Sequence, residues 1–147
     1  MNEWLRAIAA GSQLSDEAAR HLRDDGFFVV PGPVPDGELD RLAGAYDRGS
    51  AAADPADRCE GSTTIRIHDF VNRGAEFDPL YVHPPLLEAC CQTLGQSFKL
   101  SSILGRTLLP GKPAQELHMD YPRDALGWTM IGFIFMIDEF RQDNGAT

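Results

Sequence analysis

The sequence predicts a single, mostly β domain over residues 1–147, with helices in its N-terminal part. Three observations lead to this prediction. Apolar residues recur at helical spacing between capping residues in the first part of the chain. From about residue 96 the chain becomes rich in β-branched and aromatic residues, and near its end it has a nearly continuous apolar run. We therefore expect a helical region over about residues 1–95 and a β-core region over about residues 96–147.

The composition is that of an ordinary globular protein with an acidic surface. Hydrophobic residues make up 43% and charged residues 24% of the chain, which allows a core of moderate size. Thirteen basic residues against 22 acidic ones give a net charge of −9. Nucleic acids and anionic membranes bind basic surfaces, so we expect neither as a partner. No stretch approaches the roughly 20 apolar residues that a membrane-spanning helix needs.

The three cysteines, Cys59, Cys90 and Cys91, favour reduced thiols. An odd number cannot pair completely within one chain. Neighbouring residues on a helix point in different directions, which disfavours a bond between Cys90 and Cys91. No Cys-x-x-Cys spacing suggests a zinc site. Reduced thiols are typical of the cytoplasm, so we expect a cytoplasmic protein.

The first two helices have clear start and stop signals. Ser15 can cap the helix in "LSDEAARHLRDDG", two acids follow it, and Gly26 suits the position just after the end. Residues 27–30 are aromatic or β-branched and precede a Pro-Gly pair, which predicts a strand. Asp36 then opens a second helix, "GELDRLAGAYDRG", with apolar residues near helical spacing.

The rest of the chain gives a loop, a strand, a helix and then β segments. "SAAADPADRCEGS" is small, polar and broken by proline, which predicts a loop. "TTIRIHDF" predicts a short strand, and "HPPLLEACCQTLG" begins with prolines and ends with glycine, as helices do. The β segments are "SFKLSSILGRTLLPG", "QELHMD" and "GWTMIGFIFMIDEF". The last of them is apolar enough for a strand buried on both faces.

The C-terminal residues predict a hairpin with only one arm. Asn144-Gly145 is a strong signal for a hairpin turn, and two residues follow it. The predicted strands also number fewer than the eight of a jelly roll. We therefore expect the β domain to be incomplete at the C-terminus.

A histidine and an aspartate two positions apart lie in the segment "QELHMDYP". Side chains alternate along a strand, so His118 and Asp120 should project from the same face. Pro122 cannot donate a ladder hydrogen bond, which places the end of the strand near Tyr121. An imidazole and a carboxylate at a strand end supply two of the three ligands of a 2-His-1-carboxylate iron site. Without further context, a hydrogen-bonded pair on a surface strand is the favoured interpretation, because His-x-Asp sequences are common.

Three segments resemble the phytanoyl-CoA dioxygenase family: "LSDEAARHLRDDGFFVVPGPVPDGELDRL", "LLPGKPAQELHMDYP" and "IDEFRQDNGAT". The resemblance covers nearly all of the chain and implies a double-stranded β-helix, or jelly-roll, scaffold. It also implies that His118 and Asp120 are the first two ligands of Fe(II). The family's third ligand is a histidine a little beyond the Asn-Gly turn, and an arginine further on holds 2-oxoglutarate. We expect both of them after Thr147.

The resemblance implies an oxidoreductase that uses Fe(II), the cosubstrate 2-oxoglutarate and dioxygen to hydroxylate a small organic substrate. Succinate and carbon dioxide are the co-products. Related halogenases have a small residue in place of the carboxylate ligand, so Asp120 favours hydroxylation. One alternative is a catalytically incomplete fragment or pseudoenzyme of the same fold. Another is a β-barrel that binds a small molecule without a metal.

Other polar residues are candidates for the surroundings of this site. Arg106 lies in a mostly apolar segment and is the best candidate to pair with a carboxylate of 2-oxoglutarate. His68 and His83 are weaker candidates for a third iron ligand, and His21 is expected to be solvated on the first helix. The remaining basic residues near the β region are Arg66, Lys99 and Lys112.

Overall fold

The computed structural model describes residues 8, 10, 13–113, 116, 118, 120 and 127–144. Within that part of the chain, the α-helices with described bounds are α1 (Asp16–Asp24), α2 (Leu39–Ala51), α3 (Asp78–Tyr81) and α4 (Pro84–Leu94). The strands are β1 (Arg58–Glu60), β2 (Thr64–Ile67) and β3 (Gly105–Leu108). Short 3-10 helices lie at Asp36–Glu38, Pro55–Asp57, Phe70–Asn72 and Ala75–Phe77. No helix among the described residues is both long enough and apolar enough to cross a membrane.

The observed architecture is mixed and not mostly β. About 41% of the described residues are helical, and the three strands form an open antiparallel sheet in the order β1-β2-β3. The predicted fold class, a mostly β chain with a double-stranded β-helix, is therefore wrong for the part of the chain that the structure describes. The segment predicted as a loop is also partly regular, because β1 lies inside it.

Two segments predicted as strands lie outside the sheet. In residues 27–30, Phe28 and Val30 pack against a core, whereas Phe27 is 65% and Val29 is 74% exposed. Burial alternates in the same way over residues 131–137. An apolar pattern with a period of two favours an extended backbone, but a strand also needs a neighbour that completes its hydrogen-bond ladder. Among the described residues, neither segment pairs with a strand.

The predicted helix ends are confirmed where they depend on local signals. The Ser15 hydroxyl accepts a hydrogen bond from the Ala18 N–H at 3.1 Å, and Gly26 after α1 has a φ of 80°. Two prolines open α4, and its C-cap Gly95 has a φ of 62°. Glycine adopts this left-handed conformation without the steric penalty of other residues. Asp36 begins a 3-10 helix that leads directly into α2, close to the predicted start.

The first of two compact units comprises Met1–Pro33, Pro79–Leu100 and Met119–Ile134. Its core is built on three buried residues, Leu14, Ala18 and Ala89. The partly buried hydrophobic residues that pack against them are Ala19, Leu22, Phe28, Val30, Ile131 and Phe133. This core therefore joins α1 and α4 to the segment that follows α1 and to a later segment that follows α4.

The second compact unit comprises Val34–Asp78, Ser101–His118 and Phe135–Thr147. Its core contains a row of aromatic rings: Phe70 stacks on Tyr46 with centroids 5.1 Å apart and meets Phe77 edge-on at 5.0 Å. Gly105 of β3 lies against this row, and an added Cβ would come within 2.2 Å of Phe70 Cε2. A glycine is therefore required where β3 passes the aromatic rings.

Arg73 connects two parts of the second unit. Its side chain is 12% exposed, and its Nη2 lies 2.7 Å from the Asp57 carboxylate. Its Nε donates to the His68 carbonyl oxygen at 2.9 Å, and the guanidinium carbon lies 5.8 Å from the centroid of the Phe70 ring. Arg73 thus holds the segment before β1 against the segment after β2.

A turn over residues 141–144 directly precedes the predicted hairpin turn at Asn144-Gly145. The Asn144 N–H donates to the Arg141 carbonyl at 3.2 Å, and the Arg141 N–H donates to the Asn144 side chain at 2.8 Å. Gly145 and the residues after it lie outside the described residues.

Candidate functional site

His118 is exposed, and a backbone carbonyl holds its ring. Its Nδ1 lies 2.8 Å from the carbonyl oxygen of Glu116. A carbonyl oxygen can only accept, so Nδ1 is the donor and the neutral ring has its lone pair on Nε2. Metal-bound histidines usually donate a hydrogen bond of this kind from one ring nitrogen, and the other ring nitrogen is the metal ligand. The tautomer therefore suits the predicted role of His118.

The segment around His118 is not a strand at the positions that the structure describes. Glu116 and His118 have no regular structure, and Asp120 is exposed and lies in a bend. The prediction of a strand over residues 115–120 is therefore wrong at these three positions, and the others lie outside the described residues. His118 belongs to the second unit and Asp120 to the first. Their convergence on one metal ion stays a prediction.

The other histidines do not complete a metal site. Among the described residues, no group of three or more His, Cys, Asp or Glu side chains is arranged to hold a metal ion. His21 Nδ1 lies 2.5 Å from the Asp25 carboxylate, and His83 Nε2 hydrogen-bonds the Pro31 carbonyl at 3.2 Å. His68 is exposed just after β2. His118 and Asp120 therefore stay the predicted donors for an iron ion.

Two arginines are neighbours on one face of the sheet. Arg66 of β2 lies directly opposite Arg106 of β3 on one side and Cys59 of β1 on the other. Residues directly opposite each other project from the same face, with Cβ atoms about 5 Å apart. Arg106 is exposed and Arg66 is half-buried. Neither forms an ion pair with a described residue. Two adjacent cations repel each other, so an anion bound between them would be favoured.

Of this arginine pair, only Arg106 was predicted from the sequence to bind a carboxylate. Arg106 was singled out as a carboxylate partner, but its pairing with Arg66 depends on a register that joins residues 40 positions apart. The β1–β2 hairpin was not predicted, because its first strand lies in the segment that was predicted as a loop. A Gly-Ser pair after Glu60, between two short β-compatible runs, is the signal that could have revealed it.

The two adjacent cysteines of α4 differ in burial. Cys90 is buried, and Cys91 is half-buried. Burial, and then the neighbouring Cys91 thiol, raise the pKa of Cys90 from 9.0 to about 11. A thiol with a pKa in this range stays protonated at neutral pH, so Cys90 is not a nucleophile there.

The Cys90 thiol should make stability depend on pH in the alkaline range. Its pKa is higher in the folded chain, so its contribution to stability is complete below pH 9.0 and is lost as the pH rises through about 11. We expect the free energy of unfolding to fall more steeply over this range in the native chain than in Cys90→Ala. Urea unfolding at about pH 8, 10 and 11 measures the difference. Parallel pH profiles for the two chains would contradict this assignment.

No protein-family model and no solved structure matches the chain. The family membership suggested by the sequence motifs therefore stays a prediction. The structural observations that bear on the predicted site are the tautomer of His118 and the pairing of Arg106 with Arg66.

Proposed function

We propose that the chain is an Fe(II)- and 2-oxoglutarate-dependent dioxygenase, similar to the phytanoyl-CoA dioxygenase family, that hydroxylates a small organic substrate. The observation that carries the proposal is the His-x-Asp pair, in which His118 Nδ1 donates a hydrogen bond to the backbone carbonyl of Glu116. His118 then offers Nε2 as a neutral nitrogen ligand, and Asp120 offers an anionic oxygen ligand. Iron, when bound, would activate dioxygen while 2-oxoglutarate is converted to succinate and carbon dioxide.

The arginine pair supports a role in binding the cosubstrate. 2-Oxoglutarate is a dianion, and a guanidinium group binds a carboxylate through two parallel hydrogen bonds. Arg106 and Arg66 place two such groups next to each other on the sheet. We assign them to the carboxylate of 2-oxoglutarate, which would relieve the repulsion between them.

The first test is metal binding in the absence of oxygen. The native chain, His118→Ala and a control, His21→Ala, are titrated with Fe(II) and then with 2-oxoglutarate. His21 is the control because it is a histidine whose side chain is 40% exposed and it is not a candidate ligand. We expect saturable Fe(II) binding by the native chain and the control, and at least about tenfold weaker binding by His118→Ala.

The second test admits oxygen and measures succinate against a blank of free iron. Succinate above the blank that disappears in His118→Ala would support the dioxygenase. Binding of iron and 2-oxoglutarate without succinate would instead support the alternative, a catalytically incomplete fragment or pseudoenzyme. If Fe(II) does not bind, both proposals fail and a metal-free binding protein is favoured.

A further inference from the structure

A small cavity opens at the turn between β1 and β2. It has a volume of about 320 Å³ and lies on the face of the sheet that carries Arg66. The polar residues that line it are Cys59, Ser62, Thr63, Thr64 and Arg66. They supply one thiol, three hydroxyls and one guanidinium. No acidic residue of the described chain lines this cavity, so its chemistry suits an anionic ligand.

Two of the lining groups lack partners within the described part of the protein. Thr64 is 5% exposed, yet its hydroxyl forms no hydrogen bond with another described residue. The Arg66 guanidinium forms no ion pair there. The Thr64 hydroxyl is not among the buried oxygens without a partner in the described chain, so it still reaches the solvent in the cavity. Both groups can therefore hydrogen-bond a ligand that enters the cavity.

Cys59 is the exposed thiol of this cavity. Cys59 and Arg66 are direct cross-strand partners, so both side chains project from one face with their Cβ atoms about 5 Å apart. An anionic reagent drawn to Arg66 is therefore brought to the sulfur of Cys59.

We propose that Cys59 is a modification site that forms a mixed disulfide with a small thiol bearing carboxylates, and that Arg66 binds one of these carboxylates. The deprotonated Sγ of Cys59 attacks one sulfur of the small molecule's disulfide, after its own proton has passed to solvent. The new bond joins Sγ to that sulfur, and the old S–S bond breaks. The displaced thiolate then takes up a proton, so one disulfide has replaced another. Arg66 is also one of the two arginines assigned to 2-oxoglutarate, but this proposal does not depend on that function, because its test contains no 2-oxoglutarate.

The other two thiols are poorer sites for the same reaction. Cys90 is buried, and burial raises its pKa to about 11. Burial, and then the charge of Glu88, also raise the pKa of Cys91. Neither thiol lines the cavity that contains Arg66. The modification should therefore be selective for Cys59.

The test compares two disulfide reagents, oxidised glutathione, which carries carboxylates, and hydroxyethyl disulfide, which is uncharged. The native chain, Arg66→Gln and Arg58→Gln are treated with each reagent, and mass spectrometry locates the adduct and follows its rate. Arg58 is the matched control because it is adjacent to Cys59 and projects from the opposite face of β1. Circular dichroism checks that each variant is folded.

We expect a single adduct on Cys59 in the native chain. Arg66→Gln should slow the reaction with oxidised glutathione about tenfold at low salt and leave the reaction with the uncharged reagent nearly unchanged. Arg58→Gln should change either rate by less than about twofold. Equal effects of Arg66→Gln on both reagents would overturn the proposal. So would adducts on Cys90 or Cys91, or a disulfide-linked dimer formed through Cys59.

Discussion

Replacing Asp120 with alanine is expected to weaken Fe(II) binding by more than about a hundredfold, because the proposed site then loses its anionic ligand. Removing a group that only hydrogen-bonds a ligand already costs about 10- to 100-fold in metal affinity, and removing the ligand itself should cost more. Asp120 is exposed, so the substitution should not disturb the folded structure. Anaerobic calorimetry with Fe(II) measures the change directly.

Two further variants test whether the loss of Fe(II) affinity is due to the carboxylate at position 120. Asp120→Glu keeps the charge, but its extra methylene moves the carboxylate, so we expect an affinity between those of the native chain and Asp120→Ala. Asp143→Ala is the control, since Asp143 is an aspartate whose side chain is 79% exposed. It should bind Fe(II) as the native chain does. If Asp120→Ala binds Fe(II) as tightly as the native chain, Asp120 is not a ligand.

The features that the sequence predicted correctly depend on residues close together in the chain. Ser15 caps α1 through an amide three residues away, and Gly26 and Gly95 end helices by adopting a conformation that other residues avoid. Such signals need no knowledge of the rest of the fold.

The features that the sequence did not predict depend on distant partners. The segment at residues 27–30 has the residues of a strand, but which segment would pair with it is not a local property. The pairing of Arg66 with Arg106 has the same origin, since it follows from the register between β2 and β3. The prediction of a jelly roll was wrong for the same reason, because it assumed strand pairings that the described strands do not make.

The burial of Glu88 is another feature that depends on residues distant in the sequence. In "LLEACC" it reads as an exposed acid on a helix, yet it is only 4% exposed. Its Oε2 accepts hydrogen bonds from the backbone N–H of Leu14, at 2.9 Å, and of Gln13. Its Oε1 accepts one from the Gln92 side chain at 2.9 Å. These partners satisfy a buried carboxylate, and two of them come from a segment more than 70 positions away.

The position of this carboxylate indicates why it is stabilising. Gln13 and Leu14 directly precede Ser15, the N-cap of α1, so the negative charge lies near the positive end of the helix dipole. The same contacts join α4 to the start of α1 beside the core residues Leu14 and Ala89. Glu88 therefore contributes both hydrogen bonds and the alignment of two helices that share a core.

Glu88→Ala should lower the free energy of unfolding by about 3–4 kcal/mol, because it leaves two backbone N–H groups without their acceptor, including that of buried Leu14. Glu88→Gln keeps the shape and one acceptor oxygen, so it should lose only about 1–2 kcal/mol. The control is Glu60→Ala, whose side chain is 62% exposed and should contribute less than about 0.5 kcal/mol. Urea unfolding measures the three values, and hydrogen exchange at the Leu14 amide should speed up in Glu88→Ala alone among them. A Glu88→Ala chain as stable as Glu60→Ala, with the Leu14 amide still protected, would show that this buried carboxylate does not hold α1 and α4 together.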